Sequence, residues 1–260
     1  MYDLKQGRIV QTKHESPLRE GAVEWVRREL GFSPDAQQAE VLSSGIRRGM
    51  LNCTRQWGKS TVAAAKAIHT AFHEAGSLTV VVSPSSRQSG ELVRKAEVFA
   101  RRLGVKVKGD GANEISIALP NGSRIIGLPG SEATIRGFSA VSLMLVDEAA
   151  RVSDDLYMAM RPMLAVSGGA LWLMSTPFGK RGFFYDEWMR TGAEWQRFRV
   201  PATECARISG RFLEEERVAM GDRRYRQEYL CEFVETVSGV FDRDLVEGAI
   251  CGDFAPLRIL

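Results

Sequence analysis

The sequence predicts an α/β fold in which a mostly parallel sheet is covered by helices on both faces. The first observation is that short apolar runs alternate with amphipathic stretches along most of the 260 residues. The second is that three runs without any charge are typical of strands buried on both faces, namely LTVVVS at 78–83, SLMLV at 142–146 and ALWLMS at 170–175. A chain of this length can form one large α/β domain with a small appended subdomain.

The elements follow one another in a regular order. The first half of the pattern predicts helices at 20–30 and 34–48, a strand at 51–54, a helix at 59–75, a strand at 78–83 and a helix at 87–103. A hairpin follows, with strands at 114–119 and 124–128 separated by the turn residues PNGS. The rest predicts strands at 142–146, 170–175 and 194–200, helices at 154–164 and 181–190, and two short helices within 210–230.

Composition excludes some classes of protein. No stretch approaches the roughly 18 to 20 uncharged apolar residues that a bilayer-spanning helix needs, and the N-terminus has no apolar signal region. We therefore expect a cytoplasmic protein without a membrane partner. The four cysteines contain no CxxC pair, and with only three histidines a zinc site is not expected. The net charge of +3 alone does not indicate a nucleic-acid partner, because basic residues must be clustered to act.

A candidate phosphate-binding loop lies at 53–60, where the sequence reads CTRQWGKS. A predicted strand precedes it and a predicted helix follows, which is the context that a P-loop requires. In such a loop, backbone amides and the positive end of the helix surround the phosphates. Lys59 would reach the β- and γ-phosphates of ATP, and the Ser60 hydroxyl would bind Mg²⁺. Cys53 stands where the common GxxxxGK[ST] pattern has glycine, so an accidental Gly-Lys-Ser at a strand–turn–helix junction is the alternative.

A pair of carboxylates follows the second of the apolar runs, in the sequence LMLVDE at 143–148. In α/β sheets, ligands lie at the carboxyl ends of the strands. Asp147 would hold Mg²⁺, directly or through water, and Glu148 would polarise the water that attacks the γ-phosphate. The alternative is a buried strand that simply ends in solvent. Together the two motifs predict ATP hydrolysis, with Lys59 and the acidic pair converging at the ends of adjoining strands.

Several stretches together resemble one family, the large terminase subunits of tailed bacteriophages. The similar stretches are PDAQQ at 34–38, NCTRQWGKS at 52–60, VVSPSSRQSGEL at 81–92, LMLVDEAA at 143–150 and LWLMSTPFGKRGFFYDEW at 171–188. The match runs from about residue 30 to 240, and the motifs are specific as a set although each alone is not. The family's P-loop tolerates a residue other than glycine at the position of Cys53. The resemblance implies a RecA-like P-loop NTPase fold with a small C-terminal lid.

The resemblance also implies roles for individual residues. Gln38 would hydrogen-bond the adenine edge, Arg55 would respond to the γ-phosphate, and Thr176 would sense the nucleotide state and pass it to the lid. Arg136 would act as an arginine finger supplied by the next subunit of a ring, although DNA binding or a structural surface role stays open for it. The full set implied to bind nucleotide is Gln38, Thr54, Arg55, Gln56, Trp57, Gly58, Lys59, Ser60 and Thr61.

The implied organisation is an ATPase core at 1–200 with N-terminal helices, a lid at 201–235 and a linker or tail at 236–260. The tail would lead toward a nuclease domain that the chain lacks, so we expect no nuclease activity. The resemblance implies an ATP- and Mg²⁺-dependent motor that moves double-stranded DNA into a capsid in the host cytoplasm, as a ring on the portal with a small terminase subunit. The alternatives are a helicase-like DNA-dependent ATPase and a nucleotide-binding interaction module.

Overall fold

The computed structural model describes residues 21–130, 137–191 and 195–235, and within these ranges the chain forms one seven-stranded sheet. The strands are β1 (Arg48–Cys53), β2 (Leu78–Ser83), β3 (Ser116–Ala118), β4 (Arg124–Pro129), β5 (Leu143–Asp147), β6 (Ala170–Ser175) and β7 (Gln196–Val200). Their order across the sheet is β3-β4-β2-β5-β6-β1-β7. Only the β3–β4 pair is antiparallel among the described strands. The mostly parallel α/β sheet and the predicted hairpin are therefore confirmed.

Helices connect and cover these strands. The α-helices are α1 (Ala22–Leu30), α2 (Ala36–Ser43), α3 (Lys59–His73), α4 (Ser86–Arg102), α5 (Asp154–Met160), α6 (Gly182–Met189), α7 (Gly210–Met220) and α8 (Asp222–Glu228). Short 3₁₀ turns lie at Ala149–Arg151, Arg161–Leu164 and Ala202–Glu204. Within the described part of the chain, none of these helices has both the length and the apolar character needed to cross a bilayer.

The two faces of the sheet bury separate apolar clusters, because successive strand residues point to opposite sides. On β5, Leu143 and Leu145 join the cluster beneath α1 to α4, whereas Met144 and Val146 join the cluster that contains α5 and α6 residues. At roughly 25 cal/mol per Å² of buried apolar surface, clusters of this size supply the main driving force for folding. The sheet is thus a rigid platform whose strand ends are fixed from both sides.

Gly49 on β1 shows how tightly the strands are packed. A Cβ atom at this position would lie 2.4 Å from the ring of Trp172, its partner on β6. A side chain at residue 49 would therefore displace the largest aromatic group in this part of the core. The glycine is required for close approach rather than for a special backbone conformation.

The region between α2 and β1 differs from the prediction. The predicted helix at 34–48 is wrong beyond Ser43, and the strand predicted to begin at 51 begins at Arg48. Pairing with β6 explains the difference, because Arg48 lies opposite Leu171 and its guanidinium donates to the Gly169 carbonyl. Strand pairing across the sheet outweighs the helical periodicity of the local sequence.

The two predicted helices after residue 210 are present and break at Gly221, where φ is +79°. They cover a small apolar cluster of their own, separate from the two that flank the sheet. Its buried members are Ala202, Leu213, Tyr225 and Tyr229. The backbone around Glu228 and Tyr229 docks on the sheet edge, since the Ala202 amide donates to the Tyr229 carbonyl at 2.7 Å.

Candidate nucleotide site

Three parallel strands end side by side at the edge of the sheet that carries the predicted motifs. Asn52 on β1 lies opposite Ser175 on β6, and Met174 on β6 lies opposite Asp147 on β5. Our expectation that the P-loop and the acidic pair follow adjoining strands is therefore wrong, because β6 lies between β1 and β5. Neither motif encodes strand order. Two strand spacings place β1 and β5 about 10 Å apart, which a bound triphosphate can bridge with its contacting side chains.

The P-loop turn, residues 54–58, offers a set of free backbone amides. Gln56 has φ of +63° and Gly58 has φ of +100°, and these left-handed residues turn the chain from β1 into α3. Among the described residues, the amides of residues 56–60 meet no hydrogen-bond acceptor. Free amides at the N-terminal end of a 15-residue helix are suited to an anion such as phosphate. The turn therefore fits the polyphosphate of a nucleotide.

Lys59 is the first residue of α3, and its side chain folds back over the P-loop turn. Its Nζ donates to the carbonyls of Cys53 and Thr54, each at 3.0 Å, and the residue is only 8% exposed. Cys53 thus contributes its backbone carbonyl, and its buried side chain fits the position where the common pattern has glycine. These neutral acceptors leave the charge of Lys59 uncompensated by a hydrogen-bonded carboxylate, as a phosphate-binding lysine requires.

The acidic turn, residues 147–151, presents two carboxylates in different surroundings. Asp147 is buried, and burial together with the neighbouring Glu148 raises its pKa to about 6, while Lys59 opposes the increase. That Coulombic effect indicates that Lys59 and Asp147 share one pocket. Glu148 has φ of +51°, a conformation that costs a residue with a side chain about 1–3 kcal/mol. The strained backbone directs the two carboxylates into different positions.

Arg151 links the acidic turn to the end of β6. One of its NH groups donates to Glu148 Oε2 at 2.7 Å and to Thr176 Oγ1 at 3.3 Å. The guanidinium also lies over the ring of Phe178, 4.9 Å from its centroid. Thr176 is therefore at the end of the strand next to the acidic pair, as predicted, and it contacts Glu148 through a shared arginine.

Arg55 turns toward α8 and forms an ion pair with Glu228. The distance from Nε to Glu228 Oε2 is 2.7 Å, and the second carboxylate oxygen of Glu228 accepts from Arg151 at 3.1 Å. Thr54 contacts the same residue, because its hydroxyl donates to the Glu228 carbonyl at 3.2 Å. The P-loop, the acidic turn and α8 therefore meet at one side chain.

Gln38 lies beside the P-loop and is buried. Its Oε1 accepts from the Asp35 amide in a capping box, and its Nε2 donates to the Trp57 carbonyl at 2.8 Å. The Trp57 carbonyl also accepts from Arg207 at 2.6 Å. Gln38 therefore supports the P-loop turn directly, and the predicted contact with adenine stays a prediction.

The oxygen donors needed for Mg²⁺ are present at this edge. Ser60 is half-buried in the first turn of α3, and Asp147 supplies a carboxylate from the end of β5. A hydroxyl and a carboxylate are hard oxygen ligands of the kind that Mg²⁺ prefers, with water and phosphate oxygens completing the shell. The raised pKa of Asp147 fits the same interpretation, because a buried carboxylate without a full counter-charge favours a cation.

The structure brings most of the predicted residues to one edge of the sheet. Trp57 is buried and Thr61 is half-buried in the first turn of α3. Arg136 lies outside the described residues, so its predicted role stays a prediction. Sequence reasoning missed Arg151 and Glu228, which lie outside the P-loop and acidic patterns. Three-residue spacing from Glu148 was a usable signal for Arg151, whereas no local signal marks Glu228.

Comparisons with known proteins agree with this geometry. A family model described as "Terminase large subunit, T4likevirus-type, N-terminal" matches residues 50–247. The large terminase subunits of Thermus virus P23-45 and Thermus phage G20c are each 24% identical over 247 residues, covering 82% of this chain and 51% of theirs. The chain therefore spans about half the length of these curated relatives.

Solved structures share the fold. The ATPase domain of the Thermus phage P74-26 large terminase matches with a TM-score of 0.72 at 22% identity, over 83% of this chain and 100% of that one. The HK97 bacteriophage large terminase matches with a TM-score of 0.68 at 16% identity, over 87% of this chain and 57% of that one. The large terminase of another thermophilic bacteriophage, solved with ADP, gives 0.63 at 16%, over 86% and 55%. These likenesses confirm the predicted RecA-like P-loop fold.

Proposed function

We propose that this chain, which belongs to the N-terminal family of terminase large subunits, is an ATPase motor domain for packaging DNA. It would couple ATP hydrolysis to the translocation of double-stranded DNA into a capsid. The observation that supports this most is the convergence of a free-amide P-loop, Lys59 and two differently held carboxylates at one sheet edge. The thermophilic phage terminase that was solved with ADP has also been solved with ATP-γ-S, which supports nucleotide binding in this fold.

The P-loop turn would bind the phosphates of ATP. The amides of 56–60 and the N-terminal end of α3 surround the phosphate oxygens, and Lys59 leaves the carbonyls of Cys53 and Thr54 to reach the β- and γ-phosphates. Arg55 is positioned next to this turn to respond to the γ-phosphate. Gln38 fixes the Trp57 carbonyl and lies where the adenine edge would approach.

The acidic turn would carry out the chemistry. Bound Mg²⁺ supplies charge neutralisation at the phosphate oxygens. Ser60 and Asp147 hold this ion, and Glu148 orients the attacking water and accepts its proton. Thr176, which shares Arg151 with Glu148, reports the state of the site to the chain that follows β6.

The remaining parts of the motor follow from the family resemblance. Residues 1–200 would form the ATPase core, 201–235 the lid, and 236–260 a linker. A neighbouring subunit of a ring would supply Arg136 to the γ-phosphate, which typically accelerates hydrolysis about 10³- to 10⁵-fold. The ring would sit on the capsid portal in the host cytoplasm with a small terminase subunit, and would grip DNA mainly through its phosphates.

Phosphate release tests this function directly. The chain is incubated with ATP and Mg²⁺, with and without double-stranded DNA, over a range of protein concentrations. We expect release that stops when EDTA removes Mg²⁺ and that rises more steeply than protein concentration, because a neighbour completes the site. Binding of ATP without release under all these conditions would contradict the proposal and favour a nucleotide-binding interaction module.

A further inference from the structure

Glu228 occupies the last turn of α8 and lies between two arginines from different parts of the site. Its Oε2 accepts from Arg55 Nε at 2.7 Å, and its Oε1 accepts from Arg151 at 3.1 Å. Its backbone carbonyl also accepts from the Thr54 hydroxyl at 3.2 Å. One residue of α8 therefore contacts the P-loop turn and the arginine that holds the acidic turn.

The surroundings of Glu228 make this contact stronger than a surface ion pair. Its side chain is only 12% exposed. Burial alone would raise the pKa of Glu228, but the hydrogen bond and charge of Arg55 together with the charge of Arg151 bring it below its usual range. By contrast, the Arg211–Glu215 pair on α7 is exposed on both sides, and such pairs contribute little. Removing one member of a buried pair leaves the other charge uncompensated.

Arg151 can transmit the position of Glu228 to Glu148. The guanidinium is planar and presents its N–H groups in a fixed fork, so fixing one edge fixes the others. Glu228 holds one NH₂ group, the Phe178 ring packs against the plane, and the other NH₂ group donates to Glu148 at 2.7 Å. The direction of the Glu148 carboxylate therefore depends on where α8 places Glu228.

We propose that Glu228 is a positioning residue for ATP hydrolysis, which orients Glu148 through Arg151 and ties that orientation to the P-loop through Arg55. This inference rests on the proposed function, because it assigns Glu148 to the attacking water. A movement of α8 changes the P-loop arginine and the catalytic carboxylate together. Glu228 is thus the specific side chain through which the lid acts on the chemistry.

The substitution Glu228→Gln tests this role, because it keeps the shape of the side chain and removes its charge. We expect kcat to fall roughly 10- to 100-fold, as small misplacements of catalytic groups commonly produce. The Kd for ATP-γ-S should not increase, since the variant removes a negative charge near the phosphates. General loss of structure would instead raise Kd and lower the melting temperature. Glu215→Gln is the matched control on α7 and should change neither quantity.

A double-mutant cycle tests whether Glu228 acts through Arg151. Phosphate release is measured for Glu228→Gln, Arg151→Gln and the double variant. If the effect passes through Arg151, the double variant should be no slower than Arg151→Gln alone. Multiplied losses in kcat would overturn the proposal.

A third measurement does not depend on turnover. Hydrogen exchange of the amides at 222–230 is followed with and without ATP-γ-S and Mg²⁺, in the unsubstituted chain and in Glu228→Gln. We expect nucleotide to change exchange in the first and to have at least a threefold smaller effect in the second. Equal responses, or none in the unsubstituted chain, would overturn the proposal. A clear response in a chain that releases no phosphate would refute the proposed hydrolysis while leaving the link between α8 and the P-loop intact.

Discussion

The P-loop turn and the acidic turn lie at the same edge of the sheet, and each follows a parallel strand, but they are held in place differently. The P-loop turn is stabilised mostly by residues close to it in sequence. Lys59 bonds to carbonyls five and six residues earlier, and the turn runs directly into α3. The acidic turn is held from a distance, because Glu148 depends on Arg151 and through it on Glu228, 80 residues later.

This difference separates binding from chemistry within one site. A locally built turn keeps its shape whatever the position of α8, so it can recognise phosphate in any state of the domain. A turn held by a remote helix responds to movement of that helix, so its activity can be regulated. We therefore expect substitutions in the two turns to give different combinations of altered Kd and altered kcat.

Glu148→Gln should give the largest effect, on chemistry alone. Loss of a general base typically lowers turnover roughly 10²- to 10⁴-fold. Nucleotide binding should be retained, because the P-loop turn does not depend on Glu148. Phosphate release and equilibrium binding of ATP-γ-S measure the two quantities separately. A comparable loss in both would mean that the two turns are not independent.

Lys59→Ala should give the next largest effect, on binding. A charge-assisted hydrogen bond to phosphate contributes about 1.5–3 kcal/mol, so Kd for ATP-γ-S should rise roughly 10- to 100-fold. Isothermal titration with ATP-γ-S measures the change. Lys106→Ala, an exposed lysine between α4 and β3, serves as the control and should leave Kd unaltered. An unchanged Kd in Lys59→Ala would remove the P-loop assignment.

Gln38→Ala should destabilise the protein by about 1–3 kcal/mol, because it leaves the buried Trp57 carbonyl with one donor fewer and removes the capping box. Urea unfolding without nucleotide measures this. Gln37→Ala, which loses only an exposed hydrogen bond to Glu204, is the control. If Gln38→Ala leaves stability unchanged and alters only the preference for ATP over GTP, its role is adenine recognition and not local support of the P-loop.

His69→Gln should give the smallest effect and should leave the nucleotide site untouched. Burial, with help from His73 and Lys66, lowers the pKa of His69 to about 4, from about 6.5 when unfolded. The neutral ring therefore supports folding above pH 6.5, and this support is lost as pH falls toward 4. Urea unfolding at pH 7 and pH 4.5 should show a smaller loss of stability in the variant. An identical loss would show that His69 does not titrate in this way.

The sequence predicted the locally built part of this molecule better than the remote part. The strands LTVVVS, SLMLV and ALWLMS are recognisable because they are uncharged and bounded by turn residues. The P-loop was recognisable because its strand, turn and helix are contiguous. In contrast, the position of β6 between β1 and β5 depends on pairing between segments more than 100 residues apart.

The ion pairs of Glu228 could not be predicted for the same reason. Its local sequence, RRYRQEY, is typical of a charged surface helix, and only the docking of α8 on the P-loop buries the carboxylate. The early end of α2 has the same kind of cause, since pairing of Arg48 with Leu171 takes precedence over helix periodicity. Local patterns predict elements, while long-range contacts decide which polar residues become functional partners.

Both turns carry a residue with a side chain in the left-handed region, Gln56 in one and Glu148 in the other. Each costs about 1–3 kcal/mol, which is a sizeable share of the roughly 5–15 kcal/mol by which a domain is stable. Glycine at Gln56 would relieve the conformational penalty, so thermostabilisation by design would begin at this position. The residues that such an effort would first replace are therefore the ones nearest the catalytic machinery, and heat resistance and enzymatic competence make opposing demands on the same few backbone angles.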